Sequence, residues 1–377
     1  MCKIGFCIIA ISLLILNGCT EEKSIIINND KTSINDCQTS KFISVCSGDE
    51  HNLILREDGT VFGFGDNRFG QIGDGSRKIK YRPVQVNGLE NIVDINAGVY
   101  HSLALKKDGS VWSWGSNAMG QLGNGTKVDS DIPVMVQGLT DIVQIDANGY
   151  SSLALKEDGT VWAWGDNSYM QLGSNSIDST IPQKIKGIEN VISIGCGGSN
   201  NTIVKSDGSV WAWGWNKYVN LCVGSDEKIV KSPKQVIGIT DINTISASTK
   251  GIIALSNNAF VWEWGHVEKP IQIKDLKKVK EIYQAGFHSL AIKEDGTLWG
   301  WGSNTDGQIG NGSQDNKYYV PVTQVSNISN IIEVSGGIYH SVAIDENGNV
   351  WTWGNNRNGQ LGHEEIEYSL KPIKLSF

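Results

Sequence analysis

The residues best suited to chemistry recur at a fixed interval. Four of the six histidines, His51, His101, His288 and His340, occupy one slot of a repeat near 50 residues long. Imidazole is a common general base and metal ligand, so a metal centre is the first reading to test. The spacing argues against it. Each His belongs to a different repeat, and stacked sheets stand ~10 Å apart, whereas a zinc–nitrogen bond is ~2 Å. Ser151, Asn200 and Gly251 fill the slot elsewhere. A structural, hydrogen-bonding His is therefore expected. Asp58, Asp108, Asp158 and Asp207 each precede a Gly, which places these carboxylates at hairpin tips in water. Gly73-Asp74-Gly75 lacks the strand-to-helix setting of a phosphate cradle. No Ser-His-Asp order or catalytic carboxylate pair stands out. The expectation is a protein that is not an enzyme, with no cofactor and no metal site.

Sulfur chemistry divides the seven cysteines. Residues 4–16 are apolar or small and follow Lys3. Thirteen residues are too few to cross a bilayer but fit a signal-peptide core. Leu16-Asn17-Gly18-Cys19 then resembles the lipobox of bacterial lipoproteins. That resemblance implies a signal peptide over 1–18, cleavage after Gly18 and palmitate-type acylation of Cys19. It further implies a lipid anchor in a bacterial membrane, with the chain in the cell envelope, outside the cytoplasm. The alternative is an ordinary secretory signal with Cys19 incidental. Residues 19–40 are rich in Glu, Lys, Ser, Asn, Asp and Thr, with an apolar run at Ile25, Ile26 and Ile27, and read as a flexible tether. Cys37, Cys46, Cys196 and Cys222 form no Cys-x-x-Cys pair, so no zinc site is indicated. A Cys37–Cys46 bridge and four unpaired thiols both remain open.

The elements that must position these residues follow from composition and period. Of 377 residues 44 are Gly and 13 are Trp, while charged residues are 19%. This favours an all-β chain with tight turns over disorder or coiled coil. A net charge of −8 excludes a nucleic-acid partner held by phosphate neutralisation. Seven aromatic-x-aromatic-Gly tetrads begin at Phe62, Trp112, Trp162, Trp211, Trp262, Trp299 and Trp351. One Pro follows each. In the second repeat, 92–98, 102–106, 111–115 and 132–136 read as strands, and Asp108-Gly109 as a type I′ hairpin. The terminal repeats are as regular as the middle ones, which favours a closed ring over a capped solenoid. The fold expected over 41–377 is a seven-bladed β-propeller with four antiparallel strands per blade.

Ala97-Gly98-Val99-Tyr100-His101-Ser102-Leu103-Ala104-Leu105, the Trp112 tetrad and Gly120-Gln121-Leu122-Gly123 together resemble the regulator of chromosome condensation repeat. The resemblance covers about 42–377 and implies the propeller. Its eukaryotic namesake exchanges guanine nucleotides on a small GTPase. Three features weigh against that activity here: the export signal, repeats with no room for the namesake's inserted wedge, and the acidic charge.

Strand parity places the Asp-Gly hairpins on one face of the ring. The turns before the His slot and the long Gly-Gln-Leu-Gly loops share the other. That second face collects Tyr100, Tyr150, Phe287 and Tyr339 from the turns, with Phe69, Tyr169, Trp215 and Tyr218 from the long loops. Trp215, outside the tetrads, is the expected exposed anchor. Aromatics gathered on one loop face suit an interface. The expected function is a membrane-anchored extracytoplasmic module binding an unidentified protein or glycan. The alternatives are an exchange factor and an enzyme at the channel mouth. Repeats 4 and 5 are degenerate: Asn220-Leu221-Cys222-Val223-Gly224 replaces Gly-Gln-Leu-Gly, Asn257-Asn258 replaces Asp-Gly, and residues 265–270 omit most of the long loop.

Overall fold

The computed structural model describes residues 40–377, except 175, 176, 218, 219 and 266 and the side chains of 316–318. The signal peptide, Cys19, the tether, Cys37 and Tyr218 therefore lie outside the described residues. Ser40–Phe377 forms one compact unit. Its 28 strands make seven four-stranded antiparallel sheets, each in chain order. The blades span 42–85, 92–135, 142–184, 191–235, 242–272, 279–324 and 331–374. This is the expected seven-bladed propeller.

The alternation of each third strand builds the contact between blades. In blade 2, Trp114 pairs with Ser102 and Trp112 with Ala104, so both indoles leave the same face. Trp114 is fully buried among Leu53, Leu55 and Val61 of blade 1 and Ile92 and Ile95 of its own blade. Trp112 packs at the edge of that cluster, under the ammonium of Lys106 at 4.5 Å. Trp164, Trp213, Trp264, Trp301 and Trp353 are equally buried, and Phe64 takes the position in blade 1.

The hairpin tips differ from the type I′ turn expected. Gly109 has φ 79°, but Asp108 is absent from the left-handed region that a type I′ turn requires. Gly109 N donates to Lys106 O, and Lys106 N to Ser110 O. This is a type I turn closed by a left-handed Gly. The Asp carboxylate decides the choice: Asp108 Oδ1 accepts from both the N–H and the hydroxyl of Ser110. In blade 5 the equivalent pair is Asn258-Ala259 rather than Asn257-Asn258, with Ala259 forced to φ 60°.

Blade 7 meets blade 1 without exchanging a strand. Phe377 stacks on Phe42 at 4.5 Å, and Glu333 Oε1 accepts from Ser44 Oγ and Val45 N. Side chains close the ring, together with a backbone bond from Ile338 N to Asp49 O.

Candidate binding face

The recurring histidines join blades in a fixed direction. His51 Nε2 lies 3.0 Å from Ser102 Oγ of the next blade, and that hydroxyl donates to Gln71 O at 2.8 Å. Since the Ser proton goes to the carbonyl, His51 must donate its Nε2–H. Trp114 Nε1 gives Gln71 O a second bond at 2.8 Å. His101, Ser152, Gln121 and Trp164 repeat the relay, as do His288, Ser341, Gln308 and Trp353. At the closing seam His340 donates to Asn52 Oδ1, and Asn52 Nδ2 donates to Gln360 O. Burial holds the imidazoles neutral: His51 is pushed down to about 4, and His101, His288 and His340 to about 3. The histidines are therefore structural donors. Among the described residues, no group of three or more His, Cys, Asp or Glu is arranged to hold a metal ion. Cys46, Cys196 and Cys222 are buried free thiols.

The first strand of each blade lines the central channel and leaves one edge of backbone N–H groups unpaired. Side chains of the preceding blade cap that edge. Asp146 Oδ2 accepts from Cys196 N, Gln144 from Ile194 N, Ser193 from Ile245 N and Ser246 from Gln284 N. Glu333 does the same for Val45. The channel thus holds Asp94, Asp146, Glu281 and Glu333, and burial raises the first three to about 7 and Glu333 to about 8. Sequence reasoning missed these acids, because a polar residue every second position in a strand reads as a solvent face. An alignment of the seven first strands would have found them.

At one mouth the channel opens into a pocket of about 350 Å³ lined by the first turn of all seven blades. Adjacent turns are linked by backbone bonds, Val99 N to Gly149 O, Gly286 N to Gly337 O and Ile338 N to Asp49 O. Tyr150 and Phe287 line the pocket, with Asp49, Asp146, Asp166 and Lys250. Burial first, then Glu50, raises Asp49 to about 7.

The aromatics expected on this face form three groups. Phe69 meets Tyr100 at 4.9 Å and Tyr100 meets Tyr150 at 6.1 Å. Tyr169 stacks on Trp215 at 5.0 Å, and Phe287 on Tyr339 at 6.0 Å. Tyr150, Phe287 and Tyr339 are exposed at 37–39%. Trp215 is not the free anchor expected: it ends the third strand of blade 4 and is half-buried under Tyr169. Lys250, 5.5 Å above the Phe287 ring, was not anticipated.

Residues 18–269 match the family model of the RCC1-like domain, and 295–344 and 347–377 match the regulator of chromosome condensation (RCC1) repeat. The mitochondrial RCC1 domain-containing protein RUG3 of Arabidopsis thaliana is 30% identical over 115 residues, 30% of this chain and 26% of the relative. The human probable E3 ubiquitin-protein ligase HERC4 is 28% identical over 171 residues, 41% of this chain and 16% of the relative. The chain thus matches about a quarter or less of either relative's length. Prp20p of Saccharomyces cerevisiae, studied for binding to Gsp1p and histones, superposes with a TM-score of 0.75 at 22% identity, covering 86% of this chain and 87% of that one. The first family model spans about two thirds of the sequence, and with the repeat matches after it the chain belongs to the regulator of chromosome condensation (RCC1) repeat family.

Proposed function

We propose that this protein is a binding module held to a membrane by lipid on Cys19 and displayed outside the cytoplasm. Its loop face docks a protein or a glycan. One observation carries the reading: exposed Tyr150 and Phe287 rim the mouth of a pocketed channel, and exposed Tyr339 stacks on Phe287 beside it. An aromatic side chain there offers a large apolar contact, and a tyrosine keeps a polar tip for a partner. With cell-envelope extract as the source, Tyr339→Ala or Tyr150→Ala should weaken capture of a recovered partner about thirtyfold. Asp108→Asn and Asp158→Asn, on the opposite face, should leave it nearly unchanged. The reverse pattern would assign the other face. The anchor has its own test: a palmitate analogue should label the wild type and not Cys19→Ala.

Family membership favours a second reading, nucleotide exchange on a small GTPase. Added to a Ran-type GTPase, the chain is expected to leave nucleotide release at its spontaneous rate. A dose-dependent acceleration would establish exchange instead.

A further inference from the structure

The channel-mouth pocket carries two charges that break the repeat. The residue two before the His slot lines the pocket in every blade. Six of these seven residues are uncharged: Val99, Gly149, Gly198, Thr249, Gly286 and Ile338. Blade 1 places Asp49 there. The residue one before the His slot is Glu50, Tyr100, Tyr150, Ser199, Phe287 or Tyr339, and in blade 5 it is a cation, Lys250. Glu50 lies outside the pocket lining and pairs with Arg68 at 3.2 Å. Asp49 and Lys250 line the pocket within reach of solvent, the first half-buried and the second exposed.

Neither charge is neutralised within the chain. Among the described residues the Asp49 carboxyl has no hydrogen-bond or ion-pair partner, and the Lys250 ammonium has only the Phe287 ring. The other two acids of the lining are already engaged. Asp146 accepts from Cys196 N and Ala147 N, and Asp166 accepts from Ser168 and from Gln171 Nε2. Nor do Asp49 and Lys250 meet each other. They belong to opposite sides of the ring, three seams apart one way round and four the other. Burial first, and then Glu50, pushes Asp49 up to about 7, a shift that an arriving cation opposes. At about 350 Å³ the pocket stands at the small end of ligand sites. It admits a molecule of one or two residues rather than a folded domain.

We propose that this pocket is a binding site for a small zwitterion, an α-amino acid or a dipeptide, whose ammonium sits on Asp49 and whose carboxylate reaches Lys250. Val99 and Ile338, in the turns on either side of Asp49, give the ligand's first side chain an apolar wall. The site goes beyond the docking of a macromolecule on the loop face and does not depend on it.

The probe is the dipeptide Leu-Ala, titrated into the full chain and followed by calorimetry. A value of about pH 7.5 lies above Asp49 at about 7 and below a peptide amine at ~8, so both charges are present. Acetyl-Leu-Ala lacks the ammonium and Leu-Ala amide lacks the carboxylate. Each should bind at least about tenfold more weakly than Leu-Ala. Asp49→Asn and Lys250→Met should weaken Leu-Ala to the same degree without lowering the melting temperature. Each loss belongs to one contact. Acetylation should therefore cost Asp49→Asn nothing further, and amidation should cost Lys250→Met nothing further. No saturable binding at millimolar Leu-Ala, or equal binding of all three peptides, would overturn the site. Leu-Ala amide binding as tightly as Leu-Ala would overturn the zwitterion as its ligand. If Leu-Ala fails to bind while Tyr150→Ala still weakens partner capture, the docking face survives and only the pocket's ligand falls.

Discussion

Replacing His101 by alanine removes the donor to Ser152 but leaves Ser152 bonded to Gln121 O. The expected cost is one hydrogen bond plus a small cavity, about 1–3 kcal/mol, read as a lower denaturation midpoint. His101→Ser should cost less, because Ser151 fills the same slot in blade 3 and bonds Gly198 O instead. Equal stability of wild type and His101→Ala would remove the relay from the account of how blades hold together. The structural role of the histidines was legible in their spacing. Their partner was not: Ser102 lies one residue past the slot of the following repeat, and single-repeat reasoning has no access to that neighbour. The Asp of each hairpin was read correctly as a solvent-facing tip. Its turn type was misread, because the side chain's bond to Ser110 outweighs the preference of an Asp-Gly pair for the type I′ shape.

The inner strands make stability depend on pH. A carboxyl raised in the folded state keeps a proton that the unfolded chain has released, so stability falls as pH climbs from the unfolded value to the folded one. For Asp94, Asp146 and Glu281 that window ends near 7, and for Glu333 near 8. The buried histidines act the opposite way: the unfolded chain takes protons below about 6.5, so stability falls as pH drops from there toward the folded values of 3–4. Between pH 6.5 and 8.5 the histidine contribution fades out, while the acids, Asp49 among them, and at the upper end the buried thiols Cys46, Cys196 and Cys222, set a net downward slope. Melting temperature should decline across that interval. Glu333→Gln should flatten it by about 1 kcal/mol, since Gln keeps an acceptor for Ser44 and Val45 without titrating. A rising or flat wild-type profile between pH 6.5 and 8.5 would mean that these acids are not held protonated. Strand number, strand order and the aromatic spine were readable from the Trp tetrads, whose period of two fixes which face is buried. The capping of inner edges was not, because it joins side chains of one sheet to the backbone of another.

For the ring as a whole, closure depends on contacts between the two most distant parts of the sequence. Removing residues 331–377 should strip the donor to Asn52 and the Phe42–Phe377 stack, bare an unpaired face of blade 1, and give aggregation rather than a six-bladed fold. A soluble truncation that melts like the parent would contradict a closed ring. Closure itself was legible from the regularity of the terminal repeats. The means of closure was hidden, since no strand crosses the seam and Asn52 stands where the second and third blades carry Ser. The stacking of Phe377 on Phe42 has a further consequence. With a histidine relay running from blade 7 to blade 1 as it does from blades 1, 2 and 6 to their successors, the closing seam is a joint of the same kind as those three. A circular permutant of residues 40–377, with a short linker joining the old ends and new ends cut between residues 85 and 92, would keep every donor, acceptor and indole in place. The gene's starting point is then arbitrary with respect to the mechanics of the ring, and any blade could have come first.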